Sequence, residues 1–71
     1  MAPKLANIKP KDMIRALQKA GFWVERQGRH IIMTDGVRTV SVPRHNPIHA
    51  ITMGNIVRDA GLTNDEFRKL L

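Results

Sequence analysis

The stretch Gln27-Gly28-Arg29-His30-Ile31-Ile32-Met33 places one imidazole between a glycine turn and an apolar strand. Histidine changes charge near neutral pH, so His30 can accept or donate a proton under physiological conditions. Arg29 precedes it, Arg26 lies across the turn, and Arg44 and His45 follow a later strand. Guanidinium groups bind phosphate oxygens through paired, charge-assisted hydrogen bonds. A proton carrier among such groups suits cleavage of a ribose-phosphate chain. That reaction must remove a proton from a 2′-hydroxyl, protonate a departing 5′-oxygen and neutralise charge on the pentavalent phosphorus. The candidate catalytic residue is therefore His30. Candidate substrate-binding residues are Arg26, the backbone at Gly28, Arg29, Arg44, His45, and Lys11 and Lys19 ahead of them. The same pattern also suits a structural histidine in a basic turn, so the residues alone leave both readings open.

Other chemistries find little support. There is no cysteine, which removes disulfides, thiolate nucleophiles and cysteine-based zinc sites. His45 and His49 are four apart in a proline-containing loop with no carboxylate placed beside them, so no metal site and no cofactor are expected. No apolar run approaches a membrane span, and residues 1–11 lack the apolar centre of a signal peptide. A cytoplasmic protein with no membrane association is expected. The net charge is +6, and residues 1–30 carry +5 of it, seven cations against two anions. A basic first half attracts polyanions, RNA among them, although an acidic protein partner would answer to the same charge.

The elements that must position these residues follow from periodicity and turn signals. Pro10 suits the first turn of a helix, and Met13, Ile14 and Leu17 recur at helical spacing until Gly21 stops it, giving a helix over 10–20. Residues 22–26 are strand formers, Gly28 turns the chain, and 30–34 is a second strand. Asp35-Gly36 is a hairpin signal, and 37–42 alternates as a third strand until Pro43. Thr52 is read as the cap of a helix that Gly61 closes, and Thr63 with Glu66 forms a capping box for a last helix. The expected fold is α+β in the order α-β-β-β-α-α, a three-stranded antiparallel sheet with helices packed on one face. Residues 1–9 are read as a flexible basic tail and 10–71 as a single domain.

Side-chain parity completes the reading. With Phe22, Val24, Ile32, Val40 and Val42 facing the helices, Trp23, Ile31 and Met33 face outward as an apolar patch. Such a patch marks a partner interface or a homodimer contact, or else is covered by the N-terminal tail or the last helix.

Four blocks in this order carry a family resemblance: Ala20-Gly21-Phe22, Arg26-Gln27-Gly28-Arg29-His30, Val40-Ser41-Val42-Pro43-Arg44-His45 and Ala60-Gly61-Leu62. Over residues 10–71 the chain resembles the HicA toxins of HicA–HicB toxin–antitoxin systems. The resemblance implies a double-stranded-RNA-binding-domain-like fold and an mRNA interferase activity, a ribosome-independent RNA cleavage that halts translation. It implies that Gly28-Arg29-His30 matches the family's Gly-Ser-His motif, with arginine in place of serine, so that His30 is the catalytic histidine. Ile31 and Met33 stand where the family has a polar and an aromatic residue. The implied partners are mRNA and a HicB-type antitoxin. The alternatives are a non-catalytic RNA-binding module and a protein-interaction domain of the same fold.

Overall fold

A computed structural model describes residues 8–71. The order is α1 (Pro10–Lys19), β1 (Trp23–Gln27), β2 (His30–Thr34), β3 (Thr39–Pro43), α2 (Ala50–Asp59) and α3 (Asn64–Leu70). The fold is α+β, as expected: one antiparallel sheet in the order β1-β2-β3, with the helices packed against it.

Helix α1 forms where proline, acid and base sit at favourable ends. Pro10 opens it, Asp12 lies in the first turn and Lys19 in the last, each complementing the helix dipole. Met13, Ala16 and Leu17 fall on one face and are fully buried. Gly21 then leaves the helix at φ +98°, a conformation that glycine adopts without steric cost. Helix α2 buries Met53, Ile56 and Val57. It starts at Ala50 rather than at a Thr52 cap, and its N-cap, His49, makes no side-chain capping bond. The capping box of α3 is formed: Thr63 Oγ1 accepts from the Glu66 N–H at 3.1 Å, and Glu66 Oε1 accepts from the Thr63 N–H at 2.9 Å. That cap holds Phe67 in place, fully buried where α3 meets the core. Burial of a ring of this size contributes about 2–3 kcal/mol.

The expected tail over 1–9 lies largely outside the described residues. Of its last two residues, Ile8 forms an antiparallel bridge with Ile48, whose N–H donates to the Ile8 carbonyl at 2.9 Å.

The sidedness of β2 corrects the parity reading. Ile31 is opposite Val42 and Met33 opposite Val40, and all four are buried under the helices. Met33 has no exposed surface. Ile32 points the other way, opposite Ser41. The loop between Thr34 and Thr39 has four residues, and any even-numbered loop pairs odd residues of one strand with even residues of the next. Ile31 and Met33 therefore form part of the core and are unavailable as an outward partner interface. Trp23 does face outward and is half exposed.

The loop itself is held by side chains. Asp35 Oδ1 accepts from the Val37 N–H at 2.9 Å and the Arg38 N–H at 2.7 Å. Thr34 Oγ1 donates to the Arg38 carbonyl at 2.8 Å and accepts from the Gly36 N–H. The Arg38 and Val37 amides hold the Asp35 carboxyl below the usual aspartate range, because they bond to its charged form.

Candidate functional site

The helices cover one face of the sheet and leave the other open. That open face carries His30, Ile32 and Thr34 from β2, Thr39 and Ser41 from β3, and Trp23 and Arg26 from β1. Their common side follows from register, since Trp23 is opposite Thr34 and Arg26 opposite Ile32.

A bulge shapes this face. The pairing of β1 with β2 shifts by one residue between Val24 and Arg26, leaving Glu25 without a partner. A bulge sets two residues of one strand against one of the other and turns both toward the same region. Glu25 and Arg26 accordingly both line a hollow of about 410 Å³ with Ile32 and Thr39. A second hollow of about 290 Å³ is lined by Arg26, Gly28, Arg29, His30 and Ile32. Arg26 and Ile32 line both, so the two hollows adjoin on the open face and are together termed the trough.

His30 stands at the end of this trough nearest the β1–β2 turn. The turn is narrow: the Gly28 N–H donates to the His30 carbonyl at 3.1 Å. The His30 side chain is exposed, and no hydrogen bond engages its ring among the described residues. On the adjacent strand His30 is opposite Pro43, which brings Arg44 beside the turn. Arg44 Nε donates to the Gly28 carbonyl at 2.9 Å, linking the end of β3 to the turn before His30. Among the described residues, Arg26, Arg29 and Arg44 form no ion pair; the ion pair present joins Arg68 to Asp65. Three guanidinium groups around one accessible imidazole leave their charge available to an external anion.

The structure thus gathers Arg26, Gly28, Arg29 and His30 into one wall and ties Arg44 to it. His45 is exposed beyond Arg44 and does not line the trough. Lys11 and Lys19 are exposed on α1, in the helical layer on the far side of the sheet from the trough. Sequence reading misses Glu25, Ile32 and Thr39 as lining residues. Nothing local marks the Glu25 bulge, and Ile32 looks like its apolar neighbours. No three histidine or carboxylate side chains cluster in a metal-binding arrangement among the described residues. No described helix is long and apolar enough to cross a membrane.

Fold and site together define a small α+β protein, helical on one sheet face and bearing a cationic, histidine-lined trough on the other. A family model described as the HicA toxin of bacterial toxin–antitoxin systems matches residues 10–62, and the chain belongs to that family. The match runs from the start of α1 to Leu62, includes every residue of the trough and ends before α3. No curated protein matched the chain. As a HicA toxin it is one component of a toxin–antitoxin system, with an antitoxin as its counterpart.

Proposed function

We propose that this HicA toxin is an endoribonuclease that cleaves mRNA, with His30 carrying a proton and Arg26, Arg29 and Arg44 binding the phosphate. The observation that carries the reading is the exposed His30 ring in a trough walled by Arg26 and Arg29, with Arg44 fastened to the same turn. The 2′-oxygen of the substrate attacks the adjacent phosphorus and loses its proton. The bond from phosphorus to the 5′-oxygen breaks, and that oxygen takes up a proton. The products are a 2′,3′-cyclic phosphate and a free 5′-hydroxyl. His30 serves one of the two proton transfers, and the guanidinium groups stabilise the charge that builds on the phosphoryl oxygens. All of these groups belong to the chain, so the reaction as written calls on no metal ion. Inhibition by a HicB-type antitoxin follows from physical cover of the trough, because none of the described helices lies over that sheet face.

His30→Ala tests the assignment. The side chain is exposed, so the melting temperature and circular dichroism spectrum stay close to wild type. RNA cleavage falls about 10²- to 10⁴-fold, the range for loss of a general acid or base, and growth arrest on expression disappears. Wild-type cleavage persists in EDTA and stops on a substrate with deoxyribose at the scissile position. A His30→Ala chain that folds, cuts RNA and arrests growth as well as wild type overturns the reading. RNA binding without cleavage by the wild-type chain points instead to the non-catalytic module.

A further inference from the structure

Trp23 is the sole tryptophan of the chain and is 51% exposed on the open sheet face. It is opposite Thr34, on the same side of the sheet as His30. Its ring reaches the β2–β3 turn, where its Cζ2-side edge atom Cη2 would lie 3.6 Å from a Cβ built on Gly36. Gly36 has φ +94°, so the turn presents backbone rather than a side chain to the indole. The ring is thus braced along one edge and left accessible.

Trp23 lines neither hollow but stands beyond the Thr39 end of them on the same face. From His30 the trough passes Arg26 and Ile32 to Glu25 and Thr39, and Thr39 pairs with the same Thr34 that faces Trp23. His30 and Thr34 are four residues apart on one strand, about 14 Å at ~3.4 Å per residue. A nucleic-acid strand stretched beyond its stacked rise of 3.4 Å covers that distance in fewer than about four nucleotides. Arg29 and Arg44 sit at the His30 end, Arg26 lies between the two hollows, and the half-exposed aromatic stands at the other end. That division suits a strand whose phosphate is held at one place and whose base is held at another.

We propose that Trp23 is a stacking platform for one unpaired nucleobase of the RNA, a few nucleotides from the phosphate held at His30, and that the trough therefore takes RNA as a single strand. This rests on the ribonuclease reading and adds a substrate class and a positioning residue to it. Bases of an A-form duplex are stacked inside the helix and cannot lie on an indole projecting from a sheet. The trough thus selects unpaired stretches of RNA.

The single tryptophan is its own reporter. The full-length His30→Ala chain binds RNA without cutting it and is titrated with a short unstructured oligoribonucleotide, an abasic ribose-phosphate oligomer of equal length, and a blunt RNA duplex. The oligoribonucleotide quenches tryptophan emission saturably. The abasic oligomer binds more weakly and leaves emission unchanged, and the duplex does not quench. Trp23→Ala in the same background weakens oligoribonucleotide binding about 5- to 140-fold, the range for one base–aromatic stack, and alters abasic binding less than about twofold. Trp23→Phe retains most of the affinity, which separates loss of stacking from loss of fold. Salt-sensitive RNA binding with no change in emission and no penalty from Trp23→Ala overturns the proposal and leaves the ribonuclease reading standing. Equal quenching by the duplex overturns it as well. Loss of affinity for the antitoxin protein, with RNA affinity intact, does so by assigning Trp23 to a protein contact. Failure of wild-type chain and His30→Ala alike to bind any oligomer at low salt overturns the ribonuclease reading first, and this proposal with it.

Discussion

Replacing Met33 and Ile32 in turn by alanine separates the two faces of β2, on which the trough depends. Met33 is fully buried beneath the helices beside Val40, whereas Ile32 walls the trough on the open side. Truncating a buried methionine removes its transfer free energy and leaves a cavity, about 2–5 kcal/mol in all. A 71-residue domain has about 4–10 kcal/mol of total stability, so Met33→Ala removes a large share of it. With a urea m-value of about 1 kcal/mol/M, the denaturation midpoint falls by about 2 M or more. The corresponding drop in Tm is at least about 8 °C. Ile32→Ala removes a side chain that is only partly buried and leaves no enclosed cavity, so it costs about 1–2 kcal/mol. The functional pattern inverts. Ile32→Lys folds and binds RNA more tightly, because it adds a cation between Arg26 and His30, while Met33→Lys does not fold. Urea melts followed by circular dichroism, with RNA binding measured on the folded variants, supply both readouts. An Ile32→Ala penalty equal to that of Met33→Ala refutes the assignment of faces and the trough built on it.

Arg44→Ala loses the bond to the Gly28 carbonyl and one phosphate-binding group. The salt dependence of single-stranded RNA binding becomes shallower by about 0.7 in log–log slope. Arg44→Lys restores that slope but not the directional Nε bond, so cleavage stays below wild type; an unchanged slope in Arg44→Ala removes Arg44 from the site. The Asp35 loop makes stability depend on acid. Hydrogen bonds lower the carboxyl's pKa in the folded state, so its contribution is complete above the unfolded value of about 3.9 and is lost as pH falls through the lower folded value. The stability gap between wild type and Asp35→Ala, measured by thermal melts, should be open at neutral pH and narrow through that acid window. A gap independent of pH refutes the role of the charged form.

How far the site was legible depended on the kind of signal each residue gave. Arg26, Gly28, Arg29 and His30 are close in sequence and flank one turn, so a correct hairpin sufficed to bring them together. Arg44 is sixteen residues from Gly28 and meets it because β3 pairs with β2 in the register that sets Pro43 opposite His30. The two lysines of α1 read as equally basic, yet the helix carries them to the other side of the sheet. Glu25 joined the trough through a bulge, a one-residue slip that depends on how two strands settle against each other and has no composition of its own.

By itself the sequence determined the elements and their order. Prolines, positive-φ glycines, the Thr63–Glu66 box and helical spacing act over a few residues, and local backbone sterics suffice to express them. It also determined which groups can do chemistry: one well-placed imidazole, its arginines and a lone indole. Only the tertiary structure decided which of these share a surface. Ile31-Ile32-Met33 has no polar alternation to choose a face, so the pairing register had to choose, and it buried the outer two and turned the middle one, partly buried, to the open face. That choice, enforced by hydrogen bonding between neighbouring strands, put His30 and Trp23 on the same open side.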